Sequence, residues 1–243
     1  MLILAVDTSS PSGSLAVLRD DKVIGSVSAR TEELYSSRMF RQLDFLLREI
    51  SVRIEDSDLL AVAVGPGSFT GLRVGLAAIK GWAEVYHKPV AAVSALEAVA
   101  VQTQSNAPLI VPVLDARRGQ IYFAIYERSA SNGREGLTLS DEEMVMTPSE
   151  FLGALRAKSD RNDFSIVTPV PELLSMALSL CETGGIRAGR MEIEKASAIL
   201  APHVGRIGAL RAEQGRLSDS LALDANYVRR SDAELHWKAL AGS

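Results

Sequence analysis

The sequence predicts an α/β fold that is divided into two lobes. An apolar run at residues 59–64 is typical of a buried strand, and it leads through a glycine-rich loop at 65–75 into a helical pattern that continues to about His87. A second strand-like run, at 109–114, is followed by an acidic turn and a returning strand, which repeats the pattern of the amino terminus. With 243 residues, 47% of them hydrophobic, the chain can bury the core of one large domain or of two small lobes.

The first lobe is expected to open with a strand meander that turns at Asp20–Asp21. Its predicted strands cover residues 2–6, 14–19, 22–29, 59–64 and 90–93. Helical periodicity predicts helices at about 36–50 and 71–87, and a third helix begins at the capping box Ser94–Glu97. We place this lobe at residues 1–106.

The second lobe is expected at residues 107–224. Its predicted strands are 109–114, 120–127 and 165–168. One predicted helix begins at Thr147, where threonine, proline and glutamate form a capping pattern. Two more predicted helices cover 171–182 and 196–213. Residues 128–141, rich in Ser, Asn, Gly and charge, are expected to form a surface loop. The tail at 225–243 has no periodicity, so it either packs back or is flexible.

The second helix of the first lobe is apolar nearly all round, which predicts burial on two sides. A later segment of the same chain or a partner subunit can supply the second side, and the sequence favours the partner. In the preceding helix, Phe45 lies outside the apolar stripe, among Arg38, Arg41 and Arg48. The residues predicted to form an interface are Met39, Leu43, Phe45, Val74, Ala78, Trp82 and Val85.

The glycine-rich loop allows two interpretations. Gly65 and Gly67 permit close backbone approach, and Ser68 or Thr70 can cap the following helix, whose exposed amides are suited to a phosphate. The alternative is that the glycines only make a tight turn and let the helix sit close to the sheet. The loop is not a Walker A motif, because no Gly-Lys-Ser/Thr follows Gly67.

Composition narrows the function classes. The net charge of −4 does not favour nucleic-acid binding by this chain alone. The single Cys181 excludes an internal disulfide, and the three histidines are far apart in sequence, so we expect no metal site. The amino terminus lacks a basic region before its apolar run, and no apolar run is long enough to span a bilayer. We therefore expect a cytoplasmic protein that does not bind membranes.

Five motifs, in order along nearly the whole chain, together resemble one family. They are LAVDTSS at 4–10, GPGSFTGLRVG at 65–75, VSALEAVA at 93–100, DARRGQIY at 115–122 and NYVRRSDAE at 226–234. The chain is identified by them as a member of the TsaB family, a paralogue of the TsaD subunit of the bacterial machinery that makes threonylcarbamoyladenosine in tRNA. The resemblance implies an actin-like, sugar-kinase-type (ASKHA) fold made of two RNase H-like lobes with mixed sheets and flanking helices.

The resemblance also implies partners and a role. The expected function is that of a non-catalytic subunit, which supports the catalytic paralogue TsaD through a helix–helix heterodimer and contacts the ATPase TsaE. We expect tRNA to be bound only through the complex, and the isolated chain to pair with itself as a homodimer. The catalytic paralogue holds a metal through two histidines spaced i, i+4, whereas residues 31–40 contain no histidine.

In proteins of the implied fold, an aspartate at the end of the first strand organises metal and phosphate, and Asp7-Thr8 occupies that position. With Gly65, Gly67 and Ser68, these residues are the candidate phosphate contacts. The opposing interpretation makes Asp7 a turn cap. We expect no catalytic residue, no metal and no firmly bound cofactor in the chain alone, with ATP restricted to the complex.

Two alternative functions stay open. The first is a small-molecule kinase or ATPase of the same fold that uses Asp7 and the 65–75 loop on phosphate. The second is a direct tRNA-binding module that uses the arginine pairs Arg117–Arg118 and Arg229–Arg230, and the acidic net charge argues against it.

Overall fold

The computed structural model describes residues 1–31, 33, 35–131, 134–159, 163–174 and 191–229. Its strands are β1 Leu2–Asp7, β2 Ser14–Arg19, β3 Lys22–Ser28, β4 Leu59–Gly65, β5 Val90–Ser94, β6 Leu109–Arg117, β7 Gln120–Phe123, β8 Tyr126–Ser131, β9 Arg134–Leu139, β10 Met144–Met146, β11 Phe164–Thr168 and β12 Met191–Lys195. Its helices are α1 Tyr35–Glu49, α2 Phe69–Tyr86, α3 Ala95–Ala100, α4 Pro148–Ser159 and α5 Ala201–Glu213. Cys181 and most of the helix predicted at 171–182 lie outside the described residues.

The chain divides into two compact units. In the first, the strand order is β3-β2-β1-β4-β5, with antiparallel pairing in the opening meander and parallel pairing from β1 to β4 and β5. Helices α1 and α2 contribute Met39, Leu43, Leu46, Leu76 and Ile79 to the core on one face of this sheet. Helix α5 covers the other face, where Gly205 and Gly208 let it approach the side chains of Leu18 and Ala61.

The second unit covers residues 96–198 and repeats this plan. Its strand order is β10-β7-β6-β11-β12, with β6, β7 and β10 antiparallel and β6, β11 and β12 parallel. The core is built around Phe123 and Phe151, whose ring centroids lie 4.8 Å apart. Two mixed five-strand paths of the same order in one chain confirm the predicted fold class, the actin-like α/β fold with two RNase H-like lobes.

The structure divides the chain differently from the predicted boundaries at 106 and 224. The first unit consists of residues 1–95 together with the described residues from 199 onward. The reason is that Ala201, Val204 and Ile207 on α5 are buried and α5 packs on the first sheet, which its local periodicity does not reveal. The described part of the tail packs back, since the Asn226 amide donates to the Val64 carbonyl oxygen at 2.7 Å.

The prediction of a surface loop at 128–141 is wrong. Residues 126–131 and 134–139 are paired as the antiparallel hairpin β8–β9, and Tyr126 also pairs with Ile110 of β6. Main-chain pairing holds these strands although their side chains are polar, so hydrophobic periodicity is absent from this segment. Strands β10 and β12 are also absent from the prediction.

Candidate functional site

The glycine-rich loop joins β4 to α2 as the sequence predicts. Gly65 has a φ of 117°, a backbone conformation that disfavours residues with a Cβ. Ser68 is the N-cap of α2, and its hydroxyl accepts a hydrogen bond from the Gly71 amide at 3.3 Å. The loop is therefore a capped helix start at the carboxyl end of a central strand.

The residues after β1 fill the space beside this helix start. A Cβ added at Gly67 would lie well inside 3.0 Å of the Ser9 carbonyl oxygen, and one at Gly71 equally close to the Thr8 carbonyl oxygen. The Ser68 amide already donates to the Ser9 carbonyl oxygen at 2.7 Å. The glycines thus let α2 pack directly on the backbone of the first turn, as the tight-turn interpretation expects, while phosphate contact stays a prediction.

Asp7 ends β1 and is fully buried. One carboxylate oxygen, Oδ1, accepts hydrogen bonds from the Ser9 amide at 2.9 Å and from the Ser9 hydroxyl at 2.6 Å. The other, Oδ2, has no hydrogen-bond partner in the structure, and neither does the Thr8 hydroxyl. Burial raises the pKa of Asp7, and its two hydrogen bonds from Ser9 oppose the rise. In this geometry Asp7 caps the turn that follows β1.

A buried arginine holds the same turn from the side of α1. Arg38 is only 2% exposed, although the helical pattern of α1 places it outside the apolar stripe, on the same side as the exposed Phe45. Its guanidinium donates to the Pro11 carbonyl oxygen at 2.8 Å and to the Ala29 carbonyl oxygen at 2.7 Å, and it lies 4.2 Å from the centre of the Tyr35 ring. The pairing binds the turn after β1 to the segment that enters α1.

Tyr35 completes this arrangement, because its hydroxyl donates to the Ser10 carbonyl oxygen. Burial, followed by the nearby charge of Asp7, raises the pKa of Tyr35 to about 12. Sequence reasoning missed both Tyr35 and Arg38. Tyr35 and Arg38 are spaced i, i+3 at the start of an amphipathic helix, which places both side chains on the same face. This spacing is the sequence signal that they can act together.

An exposed apolar surface lies where α1 meets α2, and we call Phe40, Val74, Trp82 and Val85 the docking surface. Phe40 is 51% and Val85 68% exposed, and the rings of Phe40 and Trp82 pack edge to face with centroids 6.2 Å apart. Val74 and Trp82 are half-buried against the core. Large apolar side chains exposed together are typical of an interaction site.

Three of the predicted interface residues belong to the core instead. Met39, Leu43 and Ala78 are 1%, 3% and 9% exposed, because they point at the sheet beneath α1 and α2. Phe45 is 58% exposed, but it lies five positions after Phe40, which places the two about 140° apart around the helix. Phe45 therefore lies outside the docking surface.

The tail covers part of the remaining circumference of α2. The Lys80 ammonium donates to the Leu221 carbonyl oxygen at 3.4 Å, on the narrow polar sector of the helix. The sequence left open whether a later segment of the chain or a partner subunit covers the second side of α2, and the structure leaves room for both. A later segment of the chain lies along one side, and the docking surface stays exposed on another.

The histidines are dispersed in the part of the chain that the structure describes. His87 caps the carboxyl end of α2 with a φ of 51°, burial lowers the pKa of His203, and His236 lies outside the described residues. Among the described residues, no group of three or more His, Cys, Asp and Glu side chains is placed to hold a metal ion. Within the same residues, no helix combines the length and apolar character needed to cross a membrane.

Comparisons with known proteins identify the family. Residues 21–180 match the model of the family "TsaD: tRNA N6-adenosine threonylcarbamoyltransferase". The chain is 34% identical to the "tRNA threonylcarbamoyladenosine biosynthesis protein TsaB" of Bacillus subtilis (strain 168), over 65% of this chain and 67% of that protein. It is 31% identical to the protein of the same name from Escherichia coli (strain K12), over 61% of this chain and 63% of that protein.

The fold agrees with solved structures. The structure of "YeaZ from Pseudomonas aeruginosa" superposes with a TM-score of 0.71 at 23% identity, covering 93% of this chain and 99% of that one. The same chain is also 34% identical to a protein named TsaB, over 67% of that Bacillus subtilis protein. The chain belongs to the TsaB family.

Proposed function

We propose that this chain is a non-catalytic subunit of the bacterial machinery that forms N6-threonylcarbamoyladenosine in tRNA, and that it supports a TsaD-type catalytic subunit by docking against it. The pathway follows from family membership, since the relatives are named for threonylcarbamoyladenosine biosynthesis in tRNA. The docking role rests on one observation: Phe40 and Val85 are mostly exposed beside Trp82 on the first unit.

A supporting rather than catalytic role agrees with how the residues after β1 are used. One oxygen of the Asp7 carboxylate, Oδ1, accepts two hydrogen bonds within its own turn, and the Ser68 amide at the start of α2 donates to the Ser9 carbonyl oxygen. Asp7 Oδ1 and the Ser68 amide, which occupy positions that organise phosphate in an enzyme of this fold, are thus used for contacts within the chain, whereas Asp7 Oδ2 and the Thr8 hydroxyl have no hydrogen-bond partner. We infer that ATP is bound only in the assembled complex, where a partner contributes further contacts.

The docking surface is suited to an apolar partner helix. An edge-to-face aromatic pair next to an exposed valine offers the kind of desolvated centre that protein interfaces use. We propose that the TsaD-type subunit occupies it in the cytoplasm, that a TsaE-type ATPase joins the resulting heterodimer, and that tRNA is bound through the complex. In the absence of the catalytic subunit, two copies of this chain pair through the same surface.

Introducing a charge on the docking surface tests the proposal. Val85→Glu places a carboxylate on the docking surface, at a position whose side chain is 68% exposed, so the monomer is expected to stay folded. We expect the affinity for the TsaD-type subunit, measured by calorimetry, to fall at least tenfold, since a buried unpaired charge costs more than about 1.4 kcal/mol at an interface. The same variant should also weaken the homodimer, which analytical ultracentrifugation measures.

The matched control is Leu210→Glu, which introduces the same charge on α5 at a side chain that is 41% exposed. It should leave the affinity unchanged. Ala78 is unsuitable for this test, because it is 9% exposed and packs into the core, so a charge there would unfold the first unit. Equal affinities of the Val85→Glu variant and the unaltered chain would count against the docking surface, and no binding by the unaltered chain would reject the function.

A further inference from the structure

The segment that follows α5 returns across the first unit, and we call residues 217–227 the clasp. Ser218 forms an isolated antiparallel bridge with Val90 on the edge strand β5, with its amide 2.8 Å from the Val90 carbonyl oxygen. Leu223 is only 4% exposed and packs into the core beneath α1 and α2. The clasp is therefore attached to the first sheet at its beginning and in its middle.

The end of the clasp lies on the strand that leads into the glycine-rich loop. The Asn226 amide donates to the Val64 carbonyl oxygen at 2.7 Å, one residue before the loop begins. A Cβ added at Gly65 would lie 2.8 Å from the Asn226 carbonyl oxygen. The absence of a side chain at Gly65 thus makes room for the clasp as well as for the turn.

Tyr227 connects the clasp to the first turns of α2. Its ring centroid lies 4.8 Å from that of Phe69, and its hydroxyl accepts a hydrogen bond from the Arg73 Nε at 3.1 Å. The Arg73 guanidinium also lies 3.8 Å from the centre of the Phe69 ring. Phe69 and Arg73 are one helical turn apart, so Tyr227 contacts two successive turns at the start of the helix.

These contacts lie on the side of α2 that faces away from the docking surface. Further along the helix, Lys80 donates to the Leu221 carbonyl oxygen, and Lys80 and Trp82 are about 160° apart around the helix axis. The clasp and a partner subunit thus contact different sides of the same helix. A partner that binds one side benefits when the other side already holds the helix in place.

We propose that the clasp positions the docking surface: Tyr227 and Arg73 hold the start of α2 in the conformation that the partner binds, without contacting the partner themselves. The identity of the partner rests on the proposed function, whereas the attachment of α2 does not. When the clasp is loosened, only a fraction of molecules keeps α2 in the binding conformation, and the apparent affinity falls by that fraction.

Three variants of the full chain test this inference. Tyr227→Ala removes both the ring contact with Phe69 and the hydroxyl that Arg73 bonds, while Tyr227→Phe retains the ring alone. Leu221→Ala is the matched control on the clasp, because its side chain is 77% exposed and its carbonyl oxygen is retained. Amide hydrogen exchange of residues 65–80 and the affinity for the TsaD-type subunit are measured for each variant.

We expect Tyr227→Ala to raise the exchange rate at 65–80 by roughly tenfold and to weaken partner binding by roughly three- to tenfold, as coupling between local order and binding requires. Tyr227→Phe should keep the exchange rate and the affinity close to those of the unaltered chain, and Leu221→Ala should change neither quantity. Unchanged exchange in Tyr227→Ala overturns the inference, as does faster exchange with unchanged affinity. If the unaltered chain binds no TsaD-type subunit, the proposed function fails, and the exchange comparison alone decides whether the clasp holds α2.

Discussion

Replacing Gly71 by alanine tests the close contact between α2 and the turn after β1. The added Cβ would lie well inside 3.0 Å of the Thr8 carbonyl oxygen, whereas ordinary contact begins at 3.4 Å, so the helix or the turn must move by more than 0.4 Å. Thr8 cannot move freely, because both of its neighbours are fixed. Asp7 is paired in the sheet, and the Ser9 amide donates to the Asp7 carboxylate. Close-packed interiors resist such movement.

The expected cost follows from two opposing terms. Overpacking at a rigid contact destabilises a protein by about 1–3 kcal/mol, and a clash with backbone favours the upper end. Alanine is favoured over glycine in a helix by about 1 kcal/mol. The net loss for Gly71→Ala is therefore about 2 kcal/mol, which in a chain of this length lowers the melting temperature by about 4–8 °C.

Gly81 provides the matched control within the same helix. Apart from its chain neighbours and the backbone of the same helix, no atom lies within 4 Å of a Cβ added there, so Gly81→Ala keeps only the helix-propensity gain and should stabilise the chain by up to about 1 kcal/mol. Urea and thermal unfolding followed by circular dichroism measure both variants. Equal stabilities of the Gly71→Ala and Gly81→Ala variants would refute the role assigned to the glycines.

The remaining predictions concern the groups around the turn after β1. Arg38→Met should destabilise the chain by about 2–4 kcal/mol, because carbonyl oxygens lose a buried cationic donor, while the exposed Arg41→Met should have little effect in the same urea titration. Burial raises the pKa of Asp7 above its ordinary 3.8, so the folded state holds this proton more tightly, and stability falls as the pH rises through the raised value. Asp7→Asn should abolish that fall, and an unchanged pH profile would contradict the burial of the charge. Calorimetry of ATP with the isolated chain should register no binding, and a heat that disappears in Asp7→Asn would instead support a kinase or ATPase.

The docking surface and the clasp assign different tasks to the sides of one helix. Leu76 and Ile79 face the sheet, Val85 is exposed beside the half-buried Trp82, and Arg73 contacts the returning chain. A helix that is apolar nearly all round therefore does not indicate a partner by itself. Its contacts must be known before an exposed side can be distinguished from one that the chain covers.

Local patterns predicted those elements whose burial is regular. Strands β1, β2, β4 and β5 carry continuous apolar runs, and α1 and α2 carry apolar stripes, so their positions follow from periodicity within a few residues. The sequence does not predict the β8–β9 hairpin because its pairing is made by the main chain, with polar side chains such as Ser129 and Thr138 hydrogen-bonded across it. Arg38 was misplaced because its partners are carbonyl oxygens of other segments, which leave no signature in the pattern of α1.

The sequence by itself determined the fold class, the family and the place of the strand, loop and helix at 59–86, because these depend on local periodicity and on motifs that are contiguous in the chain. Only the tertiary structure decided which residues of α1 and α2 are exposed, and that α5 and the clasp belong to the first unit. The reason is distance along the chain. Tyr227 contacts Arg73 across 154 residues, and no local pattern encodes which side of a helix a segment so far away will cover.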